Sequence, residues 1–313
     1  MSRRRIGSNL AWGCLALLAG VATLAPYLGL RNPTEHQDPR LLRERPPLTR
    51  LLSVERPDGD KLFFETYEPT EQGLMIRRGE EQTLLVAVAP ADVSNEVFWL
   101  GTDRFSRDLL SRLLYGARAS LMIGLLAAAL ALGLGALIGG IAGLGGGFLD
   151  GLLMRFTDLT LTVPRLFLAM LLVALYGPGG WTTVLVLGGT SWMTAARLVR
   201  GEMLRQSAAP FVQAARAAGL PRWRIGILHL FPAALTALGV EATLRVGETI
   251  LLEATLSFLE LGVQEPTPSW GNLIRSGQAS LPHAWWIALF PGLLIALTVI
   301  CCASLSERRR SIG

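Results

Sequence analysis

Long apolar stretches alternate with short charged ones along this chain, and their lengths set the first expectation. A helix needs about 20 apolar residues to cross hydrocarbon. Runs of that order lie near residues 9–30, 118–144, 153–176, 181–199, 232–256 and 284–306. The pattern predicts an all-α polytopic membrane protein with six transmembrane helices. Between Arg31 and Leu100 the pattern changes. LLSVERPDGDKLFFETYE and GLMIRRGEEQTLLVAVAP alternate apolar and polar positions around Asp58 and Gly59 and around Gly79, which predicts β-hairpins in a small insert. A charged tether without fixed structure is the alternative for this segment. Next, WLGTDRFSRDLLSRLLYGARASL places Leu109, Leu110, Leu113 and Leu114 on one helix face with Arg107 and Arg112 off it. That predicts an interfacial helix over 101–117, ahead of the second span.

Composition agrees with the membrane reading: 51% of the 313 residues are hydrophobic, 17% are charged, and mean hydropathy is +0.42. A formal net charge of +5 raises the possibility of a nucleic-acid partner, but the arginines sit at span ends and no base-stacking aromatic motif accompanies them. They orient the chain instead, because Lys and Arg flanking a span prefer the cytoplasmic side. Arg3, Arg4 and Arg5 precede the first span, and Arg308, Arg309 and Arg310 follow the last. Arg197, Arg200, Arg205, Arg216, Arg222 and Arg224 crowd the linker after the fourth. Six spans put all three clusters inside, with both termini cytoplasmic. The resulting order is a cytoplasmic start and first helix over 1–30, read as an uncleaved anchor rather than a signal peptide, and an extracytoplasmic segment over 31–100. A five-helix core over 118–306 with a cytoplasmic loop at 200–231 and a tail at 307–313 complete it.

The second span carries Gly124, Gly133, Gly135, Gly139, Gly140 and Gly143. These suit close helix packing in a membrane rather than a nucleotide cradle, since no strand precedes them and no G-x-x-x-x-G-K-[ST] occurs. Cys14, Cys301 and Cys302 lie inside apolar runs and read as small hydrophobes, not a disulfide framework. His36, His229 and His283 are far apart, and no spacing suggests a metal site. No G-x-S-x-G or H-E-x-x-H motif is present.

The most informative stretch is FVQAARAAGLPRWRIGILHLFP, a basic helix-turn-helix pattern between two apolar runs. Phe211, Ala214, Ala215 and Ala218 form an apolar, small-residue face. Gly219 is placed to end the helix, and Pro221 to begin the next. A helix lying on anionic lipid is the alternative, but it would favour bulky apolar residues over alanine.

Here the chain resembles a family. Gln213-Ala214-Ala215-x-x-x-Gly219, followed by His229-Leu230-Phe231-Pro232, is similar to the E-A-A-x-x-x-G-x9-I-x-L-P loop of bacterial ABC import permeases. LGTDRFSRDLLSRLLYGARASL, VALYGPG, ARLVRGE, LEATLSFLELGVQEPTPSWGNL and ALFPGLLIALTV resemble the dipeptide/oligopeptide permease subfamily, so the likeness runs from Leu100 to about Leu305. Gln213 stands where the family has glutamate, Phe231 where it has leucine, and Ser106 and Glu260 where it has glycine. The resemblance implies a type I importer permease in the bacterial inner membrane. Its implied partners are a homologous second permease, two cytoplasmic ATPases that use ATP and magnesium, and an extracytoplasmic solute-binding protein. This chain would bind no cofactor itself. Gln213, Ala214, Ala215, Arg216, Gly219 and Pro232 would form the ATPase-coupling element.

Glu241, Arg245 and Glu248 fall within about 60° on a helix of 3.6 residues per turn, predicting an ion-pair ladder in the fifth span. Each charge would cost roughly 2.5–3.5 kcal/mol facing lipid, so the ladder belongs on the translocation path or on the contact with the partner permease. Glu253, on another face, reads as structural. Glu260, Glu265 and Trp270 mark an outer loop whose place is the outer gate or the binding-protein contact, with Trp270, Trp285 and Trp286 as an aromatic belt. Two other functions fit the apolar pattern: an ion-coupled secondary transporter using the charged span, and a non-transporting scaffold for an ATPase. The solute is not legible; peptides, nickel complexes and glutathione share this permease pattern.

Overall fold

A computed structural model describes residues 2–55, 61–86 and 89–310. Two compact units divide it. One comprises Met1–Gly20, Ala119–Gln264 and Leu294–Gly313; the other comprises Val21–Arg118 and Glu265–Leu293.

In chain order, α1 (Ser2–Leu24) is followed by six strands: β1 (Thr49–Glu55), β2 (Lys61–Phe64), β3 (Thr66–Thr70), β4 (Gly73–Arg78), β5 (Glu81–Val86) and β6 (Ser94–Phe98). They form two antiparallel three-stranded sheets, ordered β2-β1-β6 and β3-β4-β5. Alternation sorts their faces: Val54, Leu62, Phe64, Leu74 and Ile76 point into one shared core, while Leu51, Phe63 and Phe98 fill another. The hairpin at Gly79 forms as the pattern predicts, with Arg78 opposite Glu81 and Gly79 at φ +65°, a backbone region that glycine enters without penalty. β1 and β2 pair on either side of the second predicted turn, but Asp58 and Gly59 lie outside the described residues. The insert is therefore folded, and richer in strands than two hairpins.

The helices that follow are α2 (Leu109–Gly145), α3 (Gly147–Thr162), α4 (Arg165–Tyr176), α5 (Gly180–Gly189), α6 (Met193–Ser207), α7 (Pro210–Ala217), α8 (Arg222–Ile225), α9 (Phe231–Phe258), α10 (Trp270–Gln278) and α11 (Trp286–Arg310). Among the described residues, four segments are long and apolar enough to cross a membrane: Asn9–Tyr27, Leu109–Gly145, Arg222–Phe258 and Trp286–Glu307. The bent pair α3 and α4 passes the same test when taken together, as a broken span or a re-entrant loop, so the count is four, or five if the pair is one span.

Three sequence expectations change here. The run at 153–176 is not one straight helix: it bends by 87° between α3 and α4, because Pro164 lacks an amide hydrogen and drives Val163 out of the helical region, to ψ 124°. The run at 181–199 divides into α5 and α6 at Thr190–Trp192, after the pair Gly188 and Gly189. The interfacial helix over 101–117 is no separate element. Leu109–Ala117 is the start of α2, and the arginines placed off the leucine face are buried, Arg107 at 2% and Arg112 at 0% exposure. They pair with carboxylates of their own unit: Arg107 with Asp103 at 2.7 Å and Glu265 at 2.8 Å, Arg112 with Glu265 at 3.0 Å and Asp103 at 3.4 Å.

Of the six α2 glycines singled out for close packing, Gly124, Gly135, Gly139, Gly140 and Gly143 have another element against them, and Gly133 faces open space. A Cβ at Gly135 would fall 2.8 Å from the Trp192 carbonyl oxygen, one at Gly139 3.0 Å from the Ala196 carbonyl carbon, and one at Gly143 2.9 Å from Met203 Sδ. α6 therefore packs directly on the α2 backbone, as small residues permit. Thr249 Oγ1 adds a hydrogen bond to the Gly124 carbonyl at 2.8 Å.

Candidate functional site

The elbow is built by α7, its glycine stop and the restart into α8. Pro210 at the first position has no N–H to leave unsatisfied. After Ala218 the chain closes in a Schellman motif: the Leu220 amide donates to the Ala215 carbonyl at 3.1 Å and the Gly219 amide to the Arg216 carbonyl at 3.0 Å. Gly219 takes φ +83°, so the predicted helix stop is present. Val212 is fully buried and, with Ile225 and Leu230, joins Ala195, Val199, Met203, Ala234 and Leu238 in one cluster. Burying a valine side chain is worth roughly 1.5–3 kcal/mol, which fixes α7 on α6 and α9.

Most of the small-residue face described from the sequence lies open. Val212 with Ala215 turns inward, whereas Phe211, Ala214 and Ala218 are exposed, as are Gln213, Arg216, Ala217 and Gly219. The exposed side is thus small, apolar and basic at its edge. Gln213 Nε2 donates to the Ala208 carbonyl at 3.3 Å, a contact a glutamate could not make. Arg197 and Arg200 of the same basic region reach back to Asp158 and Asp150 on α3; Arg216, Arg222 and Arg224 stay exposed. Beyond α8 the turns of Gly226–Leu230 widen to π-helical spacing before Pro232, which relieves the clash between the proline ring and the carbonyl four residues earlier.

The predicted ladder is present on α9. Arg245 Nη2 meets Glu241 Oε1 at 3.0 Å and Arg245 Nη1 meets Glu248 Oε2 at 2.9 Å. Sequence reading missed a fourth member, Arg165, whose Nη2 lies 3.4 Å from Glu248 Oε2. Its signal was the Pro164-Arg165 pair interrupting an apolar run; the proline bend carries α4 back toward α9. Glu253 is fully buried and accepts from Ser257 Oγ at 2.7 Å, while that hydroxyl accepts the Val263 amide at 3.0 Å. Glu253 therefore braces the turn that carries Glu260.

The outer-loop residues separate. Glu260 is exposed at φ +63°. Glu265 is held by Arg107 and Arg112. Trp270 is fully buried, with Nε1 donating to the Leu113 carbonyl at 3.2 Å, so it cannot touch a docked protein directly. Trp286 is buried too, which leaves Trp285 as the exposed member of the expected belt. Gly116 and Ser269 explain Trp270: a Cβ on Gly116 would fall 3.3 Å from the Ser269 carbonyl carbon, so the glycine lets α10 settle against α2.

No group of three or more His, Cys, Asp or Glu able to hold a metal occurs among the described residues. Residues 135–310 match the family model described as the binding-protein-dependent transport system inner membrane component. The chain is 37% identical over 240 residues to the oligopeptide transport system permease protein OppC of Haemophilus influenzae, covering 76% of this chain and 73% of that one. It is 41% identical over 203 residues to the di/tripeptide transport system permease protein DppC of Pseudomonas aeruginosa, covering 65% and 67% respectively. Among solved structures, a chain of the MetNI methionine ABC transporter in inward-facing conformations superposes with a TM-score of 0.51 at 15% identity, covering 66% of this chain and 98% of that one.

Proposed function

We propose, from the premise that this chain belongs to the family of binding-protein-dependent transport system inner membrane components, that it carries peptides inward and is driven through its elbow. It is the permease subunit of an ABC importer and is not itself an enzyme. The peptide class follows from the relatives, whose names specify oligopeptides and di- or tripeptides.

One observation carries the mechanism: α7 is anchored from beneath by Val212 and closed by Gly219, yet presents Ala214, Ala217 and Ala218 uncovered. A face of small side chains on a fixed helix lets another protein's backbone approach closely. In this reading Gln213, Ala214, Arg216 and Gly219 meet a cytoplasmic ATPase, Ala215 seats the helix beside Val212, and Pro232 with the widened turns before it passes the motion into α9. Two ATPase subunits bind and hydrolyse ATP with magnesium; a second, homologous permease completes the pore; an extracytoplasmic binding protein delivers solute. Nucleotide state biases a two-state element, and this chain is the lever.

The chain sits in the bacterial inner membrane with both termini cytoplasmic. α5 and α6 supply the sixth crossing as a broken helix, which keeps the three arginine clusters on one side. The ladder of Glu241, Arg245 and Glu248 lines the translocation path, where water or protein offsets the cost of its charges. Glu260 lies at the outer mouth, and Glu265 holds the loop behind it in place.

Reconstitution into liposomes with the ATPases, second permease and binding protein tests this reading. Peptide uptake should require ATP on the ATPase side, and loaded binding protein should stimulate hydrolysis. Uptake driven by an ion gradient without ATP would replace the reading with secondary transport; stimulated hydrolysis without uptake of any solute would leave only a scaffold.

A further inference from the structure

Glu248 is the most open member of its charged cluster. Its side chain is 52% exposed, against 27% for Arg165, 17% for Glu241 and 2% for Arg245. Both arginines converge on a single oxygen, Oε2, and among the described residues no protein group bonds Oε1. Among the same residues Arg165 bonds through Nη2 alone, with no partner on Nε or Nη1. Glu241 also pairs with Arg245 at 3.0 Å, so the cluster balances two charges of each sign and Glu248 is shared between the two arginines. Beside this cluster runs the bend between α3 and α4, where Thr162, Val163 and Pro164 are exposed. Irregular backbone at membrane depth persists only against protein or a water-filled cavity.

An oriented carboxylate oxygen next to an open guanidinium edge selects one ligand chemistry. An ammonium group donates to the oxygen, and a carbonyl one or two bonds away accepts from the arginine. A simple anion meets repulsion from Glu248, and a bare cation meets repulsion from Arg165. The free amino end of a peptide carries both features. We infer that Glu248 and Arg165 form a transit site for the peptide amino terminus, with the ammonium on Glu248 Oε1 and the first peptide carbonyl on Arg165. The inference rests on the import reading above. Partial exposure keeps the contact weak, as a route requires of a group that must bind and then release its cargo.

The test uses the full complex in liposomes with saturating binding protein and two labelled probes, trialanine and N-acetyl-trialanine. Glu248→Gln should slow trialanine uptake about tenfold, the worth of one charge-assisted hydrogen bond of roughly 1.4 kcal/mol. It should lower the ratio of free to acetylated uptake by a similar factor, and Glu248→Asp, which keeps the charge, should recover most of the rate. A wild-type trialanine rate in Glu248→Gln overturns the inference, as does a loss shared equally by both probes or left unrescued by aspartate. Should Glu248→Gln fail to assemble, Arg165→Gln decides: slower uptake of both probes supports the site, and an unchanged rate removes it. A wild-type complex whose ATP hydrolysis answers loaded binding protein but which imports no trialanine sinks this inference alone; absence of any ATP-driven response sinks the import reading itself.

Discussion

Asp103→Asn removes one negative charge from a place where water cannot replace it. Asp103 and Arg112 are fully buried and Arg107 nearly so, while Asp103 Oδ1 also accepts the amides of Phe105 and Arg107 at 2.8 and 2.9 Å. Asparagine keeps a carbonyl oxygen for those amides but turns Oδ2, which accepts from Arg107 Nε at 2.8 Å, into a donor, so the substitution removes the charge and that acceptor together. Breaking a buried pair by removing one partner costs roughly 3–5 kcal/mol. Glu265 supplies the other carboxylate but is 39% exposed; with solvent screening, Glu265→Gln should cost about half as much, roughly 1.5–2.5 kcal/mol. The surface pair of Glu81 with Arg40 serves as the control, and Glu81→Gln should cost about 0–1 kcal/mol. Denaturant unfolding of the purified protein in detergent, followed by tryptophan fluorescence, ranks the three. Equal losses, or a larger loss for Glu265→Gln, would refute burial as the source of the cluster's strength.

Three further outcomes follow from particular residues. Ser106 and Glu260 stand at φ +62° and +63°, a backbone region that favours glycine, so Ser106→Gly and Glu260→Gly should each add about 0.5–1 kcal/mol of stability by relieving strain. Ser106 should gain more, because its buried hydroxyl has no partner. Gly219→Val should reduce ATP-driven uptake while costing about 1–2 kcal/mol in stability, since no side chain crowds position 219 and the penalty is conformational. Burial tends to raise the carboxyl of Glu96, but hydrogen bonds and charge from Lys61 and Arg31 outweigh it and hold the group below its ordinary 4.5. The stability it contributes is therefore complete above pH 4.5 and is lost as pH falls through the lower folded value. Glu96→Gln should flatten that acid limb of the unfolding curve, and an unchanged limb would contradict the assignment.

Much of the fold could be read from the chain because its determinants are local. Apolar runs long enough to span, α2 glycines spaced for packing, a glycine where α7 must stop and charges three and four residues apart on α9 each act within one element. The misses share a different cause. Arg107 and Arg112 were placed off the leucine face, but their burial was not legible: besides the local Asp103 they pair with Glu265, more than 150 residues away, and distant pairing leaves no local period. Trp270 looked like a belt residue because its hydrogen bond to Leu113 and the gap left by Gly116 are likewise long-range. Pro164 did announce the bend, and with it the approach of Arg165 to Glu248, but hydropathy summed over the run concealed the break. At the elbow the helix, its glycine stop and its small-residue face were legible, but the inward anchor Val212 was not, because its packing partners lie on α6 and α9.

The central claim is that a cytoplasmic motor grips the uncovered face of α7. A single Ala218→Cys, with Cys14, Cys301 and Cys302 changed to serine, reports on it through a membrane-impermeant maleimide. The account predicts labelling in inside-out vesicles only, and protection of that cysteine when the ATPase subunits are bound. Labelling from the outer side, or full reactivity in the assembled complex, would contradict it.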